Sequence, residues 1–441
     1  MRILLLNPPG KSIRTGRLVR PSKISTQSWA PIHLCLSAGV LEKLGYDCKV
    51  YDASILGLGE AETLSLIREW KPGAVAYYWA VDTRVADLAF AEVLAREFPL
   101  YLVGPWSAHY DALADVPSAR AMTVGQFEYT LPHLLDGSPA QGVKYQGGEF
   151  VAPREAYSSS ELDWMPFVTD VYRRHLPIEK YHQTSFRHPF VDLYTSRGCV
   201  PGTCTFCSVN NGANKLNWQH RSLGNVMGEL WSIKRTLPKI RQVFLQDDTL
   251  PTPWAIKIAD QIITEKLDLC WGCYSRADKT YDEIMKLKES GCRTFHVGYE
   301  VPLQSELDRI LKGITVEQME TFAAAIRKSG IWTSSSFVVF PWLTNEQMEY
   351  MVQWIKKTRA TRVNVAALQV YPGCPISKTI EDMRAGGKPL MSWDEMVAWE
   401  KYCFTAFYLK NPDFWIQAIT NPREWRNLIR DSLGMLKFLR S

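Results

Sequence analysis

Ser196-Arg-Gly-Cys199-Val-Pro-Gly-Thr-Cys204-Thr-Phe206-Cys207 places three cysteines within nine residues, directly behind the strand-like run Phe190-Val-Asp-Leu-Tyr-Thr195. A loop of this kind can fold three thiolates onto one face of an iron–sulfur cluster and leave a fourth iron without a protein ligand. Gly198, Pro201 and Gly202 give the backbone the freedom to curl around such a group. Structural zinc is the competing reading, but it usually takes four ligands in two close pairs. The nearest second pair, Cys270-Trp-Gly-Cys273, lies more than sixty positions on. A regular strand would put its two cysteines on opposite faces.

The rest of the chain sets limits on what this loop can belong to. With 441 residues, 46% hydrophobic and 22% charged, the sequence is globular and long enough for two or three packed domains. The net charge of +5 comes with no Lys/Arg run of the kind that grips nucleic acid. Nucleic acid is therefore not an expected partner. The opening Met1-Arg-Ile-Leu-Leu-Leu-Asn-Pro-Pro is too short an apolar stretch for a signal peptide, and no segment reaches the length of a membrane span. A cytoplasmic location is therefore expected, and ten cysteines in a cytosolic chain point to metal or reactive thiols more than to disulfides.

Upstream of the loop, residues 1–137 alternate short apolar strands with amphipathic helices. Strands are expected at Ile3–Leu6, Cys48–Tyr51, Ala74–Tyr78, Leu100–Val103 and Ala121–Val124. Helices are expected over Leu34–Leu44, Glu60–Trp70, Thr83–Phe98 and Ser107–Val116. This is the pattern of a doubly wound parallel sheet, whose ligands sit at the carboxyl ends of the strands. Residues 138–189 lack periodicity and read as a connector. His175, His182 and His188 lie there without ligand spacing to one another. From 190 to 385 a second strand–helix series follows, with strands expected at Phe190–Thr195, Gln242–Leu245, Leu269–Tyr274, Thr294–Tyr299, Trp332–Phe340 and Val363–Val370. Six such repeats predict a partial barrel with active groups at its carboxyl strand ends. Residues 386–441 read as a small helical domain, with helices over Trp393–Leu409, Pro412–Ile419 and Pro422–Leu439.

The three-cysteine loop resembles the signature of radical S-adenosylmethionine (radical SAM) enzymes, although its first spacing is four residues where that family usually has three, as if Val200 were inserted. The resemblance implies a 4Fe-4S cluster held by Cys199, Cys204 and Cys207, with SAM chelating the open iron. It also implies SAM contacts from Phe206 and from three strand ends: Asp247 and Asp248 in Gln246-Asp-Asp, Arg276 in Tyr274-Ser-Arg, and Glu300 in Gly298-Tyr-Glu, ahead of Leu311-Lys312-Gly313. An arginine fork suits the SAM carboxylate. The fifth strand's Phe340-Pro-Trp-Leu-Thr344 departs from the family's usual turn. Cys374, in Pro372-Gly-Cys-Pro375, replaces a threonine and is read as a buried small residue.

Residues 1–137 resemble the cobalamin-binding domain that precedes many radical SAM enzymes, which implies cobalamin contacts from Asn7, Pro8, Trp79, Gly104, Pro105, Trp106, Gly125 and Gln126. The Asp-x-His-x-x-Gly motif that would supply cobalt with a histidine is missing, so cobalt is expected without one. His33 and His109 are the local alternatives. A sheet without a cofactor is the plain structural reading.

Together these resemble the cobalamin-dependent (class B) radical SAM methyltransferases. That family implies methylation of an unactivated sp3 carbon, using a 5′-deoxyadenosyl radical and methylcobalamin, with electrons from a flavodoxin- or ferredoxin-type donor. The substrate side of the resemblance points to a peptide or protein carbon, such as the glutamine of methyl-coenzyme M reductase that one branch methylates. An oxidative cyclase or rearrangement enzyme with the same cofactors is one alternative. A cobalamin or iron–sulfur carrier or sensor is another, although it would have no use for Arg276 and Glu300.

Overall fold

The computed structural model describes residues 1–10, 28–80, 83–104, 110–183, 186–211, 217–371 and 373–412. Pro105, Trp106 and His109 lie outside these, as do residues 413–441 with the last two expected helices. The chain packs as two units that interleave along the sequence. The first comprises Met1–Gln183, His188–Arg197 and Gly212–Arg241, and the second Thr184–Arg187, Gly198–Asn211 and Gln242–Ser441.

The first unit is built on a seven-stranded sheet: β1 (Arg2–Asn7), β2 (Asp47–Asp52), β3 (Ala74–Tyr78), β4 (Leu100–Val103), β5 (Ala121–Thr123), β6 (Val143–Tyr145) and β7 (Phe150–Val151). Their order is β2-β1-β3-β4-β5-β6-β7. β1 to β5 run parallel, while β6 and β7 add antiparallel. Ile3 to Leu6 are wholly buried, as expected for a parallel strand covered on both faces by crossover helices. In the helix Ile32–Lys43 every residue from Ile32 to Leu41 is buried. Gly39 permits this, because a Cβ there would stand 2.5 Å from Pro166 Cγ and 2.8 Å from Val171 Cγ2.

Residues 138–183, expected to be an aperiodic connector, instead carry the β6–β7 hairpin and the helices Ser159–Trp164 and Val168–His175. The first of these helices starts with a capping box, Ser158 exchanging hydrogen bonds with Glu161. His175 pairs with Glu42 at 2.7 Å, and His188 Nε2 accepts from the Gln183 N–H. These histidines are thus structural. β8 (Phe190–Leu193) leads to a short antiparallel pair, β9 (Ser196–Arg197) with β10 (Gln219–His220).

The second unit's sheet contains β11 (Gln242–Leu245), β12 (Trp271–Arg276), β13 (Cys292–Glu300), β14 (Trp332–Val339) and β15 (Arg362–Ala367), paired in chain order and all parallel. One face packs on helices: Tyr299 and Phe337 stack at 5.4 Å and meet Trp354 of Asn345–Thr358, while Phe295 and Tyr299 meet Phe322 of Val316–Ser329. The other face carries Phe244, Tyr274, Arg276, His296, Gly298, Ser334 and Ser336, and all but Phe244 are half-buried. The helix Trp393–Tyr408 closes the β15 edge, where Tyr408 bonds both backbone groups of Val363 and Glu400 accepts from Ala367 N–H.

Candidate active site

The cysteine loop lies at the carboxyl end of this second sheet and is tied down by backbone groups. Gly198 N–H donates to Asp248 Oδ2 at 3.2 Å, Thr205 N–H to Ile310 O at 3.0 Å, and Thr203 Oγ1 to Leu311 O at 3.0 Å. Ile376 N–H in turn donates to Thr205 O, so the loop is held from two sides. Val200, the extra residue in the first spacing, is 45% exposed, so the insertion bulges outward. No group of three or more His, Cys, Asp or Glu side chains that could hold a single metal ion occurs among the described residues. Convergence is what a zinc ion demands, whereas a four-iron cube seats each thiolate on its own iron. The donor set fits the cube. Burial pushes the Cys204 thiol above its ordinary range against the pull of Lys312, and burial beside Cys204 takes Cys207 up to about 12.

Next to the loop, Glu300 follows a register shift at the end of β13 and holds φ at +64°. A non-glycine residue in the left-handed region is uncommon, and such strain concentrates at functional sites. The bend turns its carboxylate onto Lys312, whose Nζ donates to Glu300 Oε1 at 2.6 Å. Both side chains are buried. Burial alone would lower the Lys312 pKa, but Glu300 and the Cys204 thiol outweigh it and raise the ammonium above the usual lysine range. Gly298 lies directly beneath: a Cβ there would be 2.5 Å from Glu300 Oε1 and 3.2 Å from Lys312 Nζ.

Arg276 has a different task from the one expected. Its Nε donates to Asp278 Oδ2 at 2.8 Å, and its Nη2 donates to the carbonyls of Lys312 and Gly313, both at 2.9 Å. Through Nε and Nη2 the fork clamps the Lys312-Gly313 turn, a positioning task that the sequence does not announce. Asp247 is fully buried, Asp248 serves the loop, and Phe206 meets Phe340 edge-to-face at 5.9 Å. Phe340 stacks on Trp342, which donates to Glu306. The divergent fifth-strand turn is thus a packed aromatic step under the loop. Cys374 is buried, as expected. The sequence alone gives Lys312 no role, although its Lys-Gly step behind Glu300 is the signal that marks it.

In the first unit, Asn7, Pro8, Trp79 and Gln126 are all buried at carboxyl ends of the sheet. Asn7 Nδ2 donates to Asp52 Oδ1, and Tyr181 Oη to Asp52 Oδ2. Trp79 is 2% exposed and its ring belongs to the core. A Cβ on Gly104 would lie 2.9 Å from Trp79 O, and Gly125 holds φ at +85°. Asn7 Oδ1, Trp79 Nε1 and Gln126 Oε1 have no hydrogen-bond partner among the described residues. Three orphaned buried polar atoms at strand ends fit a large polar cofactor. His33 is buried, 3.2 Å from Tyr194 Oη and 3.7 Å from Glu128, whose other oxygen accepts from Arg197 at 2.7 Å. Burial opposes the Glu128 charge, but Arg197 and His33 hold its pKa below the ordinary range.

Residues 193–355 match the family described as the radical SAM superfamily. An uncharacterized methyltransferase of Pyrococcus horikoshii is 26% identical over 388 residues, spanning 85% of this chain and 82% of that protein. A cytidylyl-2-hydroxyethylphosphonate methyltransferase of Streptomyces wedmorensis is 24% identical over 309 residues, or 56% of this chain and 55% of that protein. Among solved structures, the radical SAM methyltransferase TsrM of Kitasatospora setae with cobalamin and iron–sulfur cluster bound superposes with a TM-score of 0.65 at 17% identity, over 87% of this chain and 78% of that one. The cobalamin-dependent radical enzyme OxsB, with aqua-cobalamin and SAM bound, gives a TM-score of 0.70 at 14% identity, over 99% of this chain and 72% of that one. The anchored cysteine loop, the family match across it and the two sheets lead to one conclusion: residues 193–355 carry a radical SAM domain, and the chain as a whole has the fold of the cobalamin-binding radical SAM enzymes TsrM and OxsB.

Proposed function

We propose that the protein is a cobalamin-dependent radical SAM C-methyltransferase, acting on an unactivated sp3 carbon of a small molecule or of a side chain presented by a peptide. The observation that carries this reading is the cysteine loop locked against the Glu300–Lys312 pair at the strand ends of a parallel sheet. When bound, the cluster and SAM supply a 5′-deoxyadenosyl radical able to take hydrogen from carbon, and methylcobalamin supplies the methyl group. Cys199, Cys204 and Cys207 would hold the cluster. Glu300 and Asp247 would accept from SAM, and Arg276 keeps the Lys312-Gly313 turn where Lys312 can orient Glu300. Asn7, Trp79 and Gln126 would meet cobalamin through their orphaned polar atoms.

Support for a small substrate comes from the relatives: one acts on a cytidylyl-hydroxyethylphosphonate, and TsrM has been solved with tryptophan and aza-SAM bound. No helix among the described residues is long and apolar enough to cross a membrane. The electron donor is proposed to be of flavodoxin or ferredoxin type. The deciding experiment supplies reconstituted enzyme, reductant and methyl-labelled SAM to candidate substrates, with products read by mass. Incorporation of one labelled methyl is expected, with both 5′-deoxyadenosine and S-adenosylhomocysteine formed. A dehydrogenated or rearranged product without label would instead favour the oxidative reading, to which the OxsB match over 99% of the chain lends weight.

A further inference from the structure

We infer that the open face of the second sheet carries a carboxylate-binding subsite centred on His296 and Ser334; the inference rests on the proposed function, since the ligand is the substrate of that reaction. Strand register sets the open face out in two rows. Arg276, Gly298, Ser336 and Asn364 are successive partners across β12 to β15. Two residues deeper, Tyr274, His296, Ser334 and Arg362 form a second row. The upper row touches the site already described, because Arg276 clamps the Lys312-Gly313 turn and Gly298 lies under Glu300 and Lys312.

The lower row has a floor and a chemical sign. Phe186 and Phe244 are buried and stacked at 4.8 Å, and the His296 ring stands 5.4 Å and 4.9 Å from them. Tyr274 meets His296 edge-on at 5.3 Å. Above this aromatic plug the half-exposed groups are a phenol, an imidazole and a hydroxyl, with a guanidinium at the end of the row. All of them can donate a hydrogen bond. Along the open face of the five strands the one acid is Glu300, and Lys312 already neutralises it. Arg276 is paired with Asp278, and the charged group of the lower row itself is Arg362, so a cationic ligand would meet a like charge there. A carboxylate would meet donors at successive strands spaced about 4.8 Å apart.

The spacing also suits the reaction. Two residues along a strand span about 6.6 Å, so a carboxylate held in the lower row presents carbons a few bonds away at the level of Arg276 and Gly298. Gly298 keeps that level open, since a side chain there would collide with Glu300.

The test reads binding on the full chain with its oxidised cluster, labelled with ring-13C histidine. The sequence has eight histidines, and His296→Gln identifies the signal of interest. Butyrate, butyramide and butylammonium are the probes, matched in size and differing in charge. Butyrate should move the His296 resonance and bind at least about tenfold more tightly than butylammonium, the equivalent of one charge-assisted hydrogen bond. Ser334→Val should weaken butyrate by a similar factor, which keeps the test open if His296→Gln fails to fold. Equal affinity for the three probes, or butyrate binding that neither variant changes, would overturn the subsite. Neither outcome depends on SAM cleavage or methyl transfer, so failure of the labelled-SAM experiment would not be mistaken for failure here.

Discussion

The two large sheets of this protein are made differently, and the difference separates a scaffold face from a working face. In the first unit β3 and β4 are buried at every residue, and their sequences Ala-Val-Ala-Tyr-Tyr and Leu-Tyr-Leu-Val are continuous apolar runs. In the second unit β14 alternates half-buried and buried residues without exception, and its sequence Trp-Thr-Ser-Ser-Ser-Phe-Val-Val is polar at its centre. A sheet covered on both sides needs no alternation. One that keeps a face for a ligand shows it. In the first sheet the polar atoms that would meet a cofactor accordingly stand at strand ends, whereas the second offers a surface leading down from Glu300 and Lys312.

The largest effect that can test this division is removal of the cluster thiols. Changing Cys199, Cys204 and Cys207 together to Ala should abolish iron binding and SAM cleavage while the first unit still takes up cobalamin. Iron and cobalt counted on the same anaerobically reconstituted sample give the answer. Retained iron would break the assignment of the loop; joint loss of cobalt would break the independence of the two units.

A smaller and sharper test concerns the buried pair. Lys312→Met leaves the Glu300 carboxylate buried without its counter-ion, which typically costs about 3–5 kcal/mol. Glu300→Gln combined with Lys312→Met removes both charges and should recover much of that stability. SAM affinity should not recover, because the carboxylate is gone. Denaturation midpoints and calorimetric SAM titrations on the single and double variants separate the two effects. If the double variant binds SAM as the wild type does, Glu300 is a structural partner of Lys312 and no more.

Much of this contrast was legible in the sequence. The cysteine spacing marked the loop, and apolar runs against alternation marked the two sheets, because burial acts residue by residue along a strand. Position across the fold was not legible. Arg276 reads as a free fork until the turn at Lys312-Gly313, more than thirty residues on, is seen to return its carbonyls to it. Trp79 is a cobalamin contact by resemblance alone, and only the packing around β3 shows that its ring lies in the core. Two signals were present but unread. Ser158 with Glu161 is a capping box and announced the helix that follows. The polar places in Thr294-Phe-His296-Val-Gly298 mark an open face, and only register showed what His296 stands beside.

The smallest expected effect lies in the first unit, where a covered interior holds an acid that meets no cation among the described residues. Asp192 accepts from Tyr172 Oη at 3.0 Å, and burial pushes its pKa up to about 7. Glu128, just as buried, is held low because Arg197 faces it. A raised carboxylate pKa means that the folded state keeps a proton that the unfolded chain has released. The cost of folding therefore begins as pH rises past the unfolded value of about 3.9 and grows until the folded group itself ionises near 7. Between pH 5 and pH 8 this amounts to about 2–3 kcal/mol of lost stability. Asp192→Asn keeps the acceptor for Tyr172 and removes the titration. Its thermal midpoint should exceed that of the wild type by several degrees more at pH 8 than at pH 5, since in a domain of this size about 1 kcal/mol moves the midpoint by about 2–4 °C. A gain that is the same at both pH values would show that Asp192 is ionised in the folded protein throughout, and that a counter-charge reaches it as one reaches Glu128.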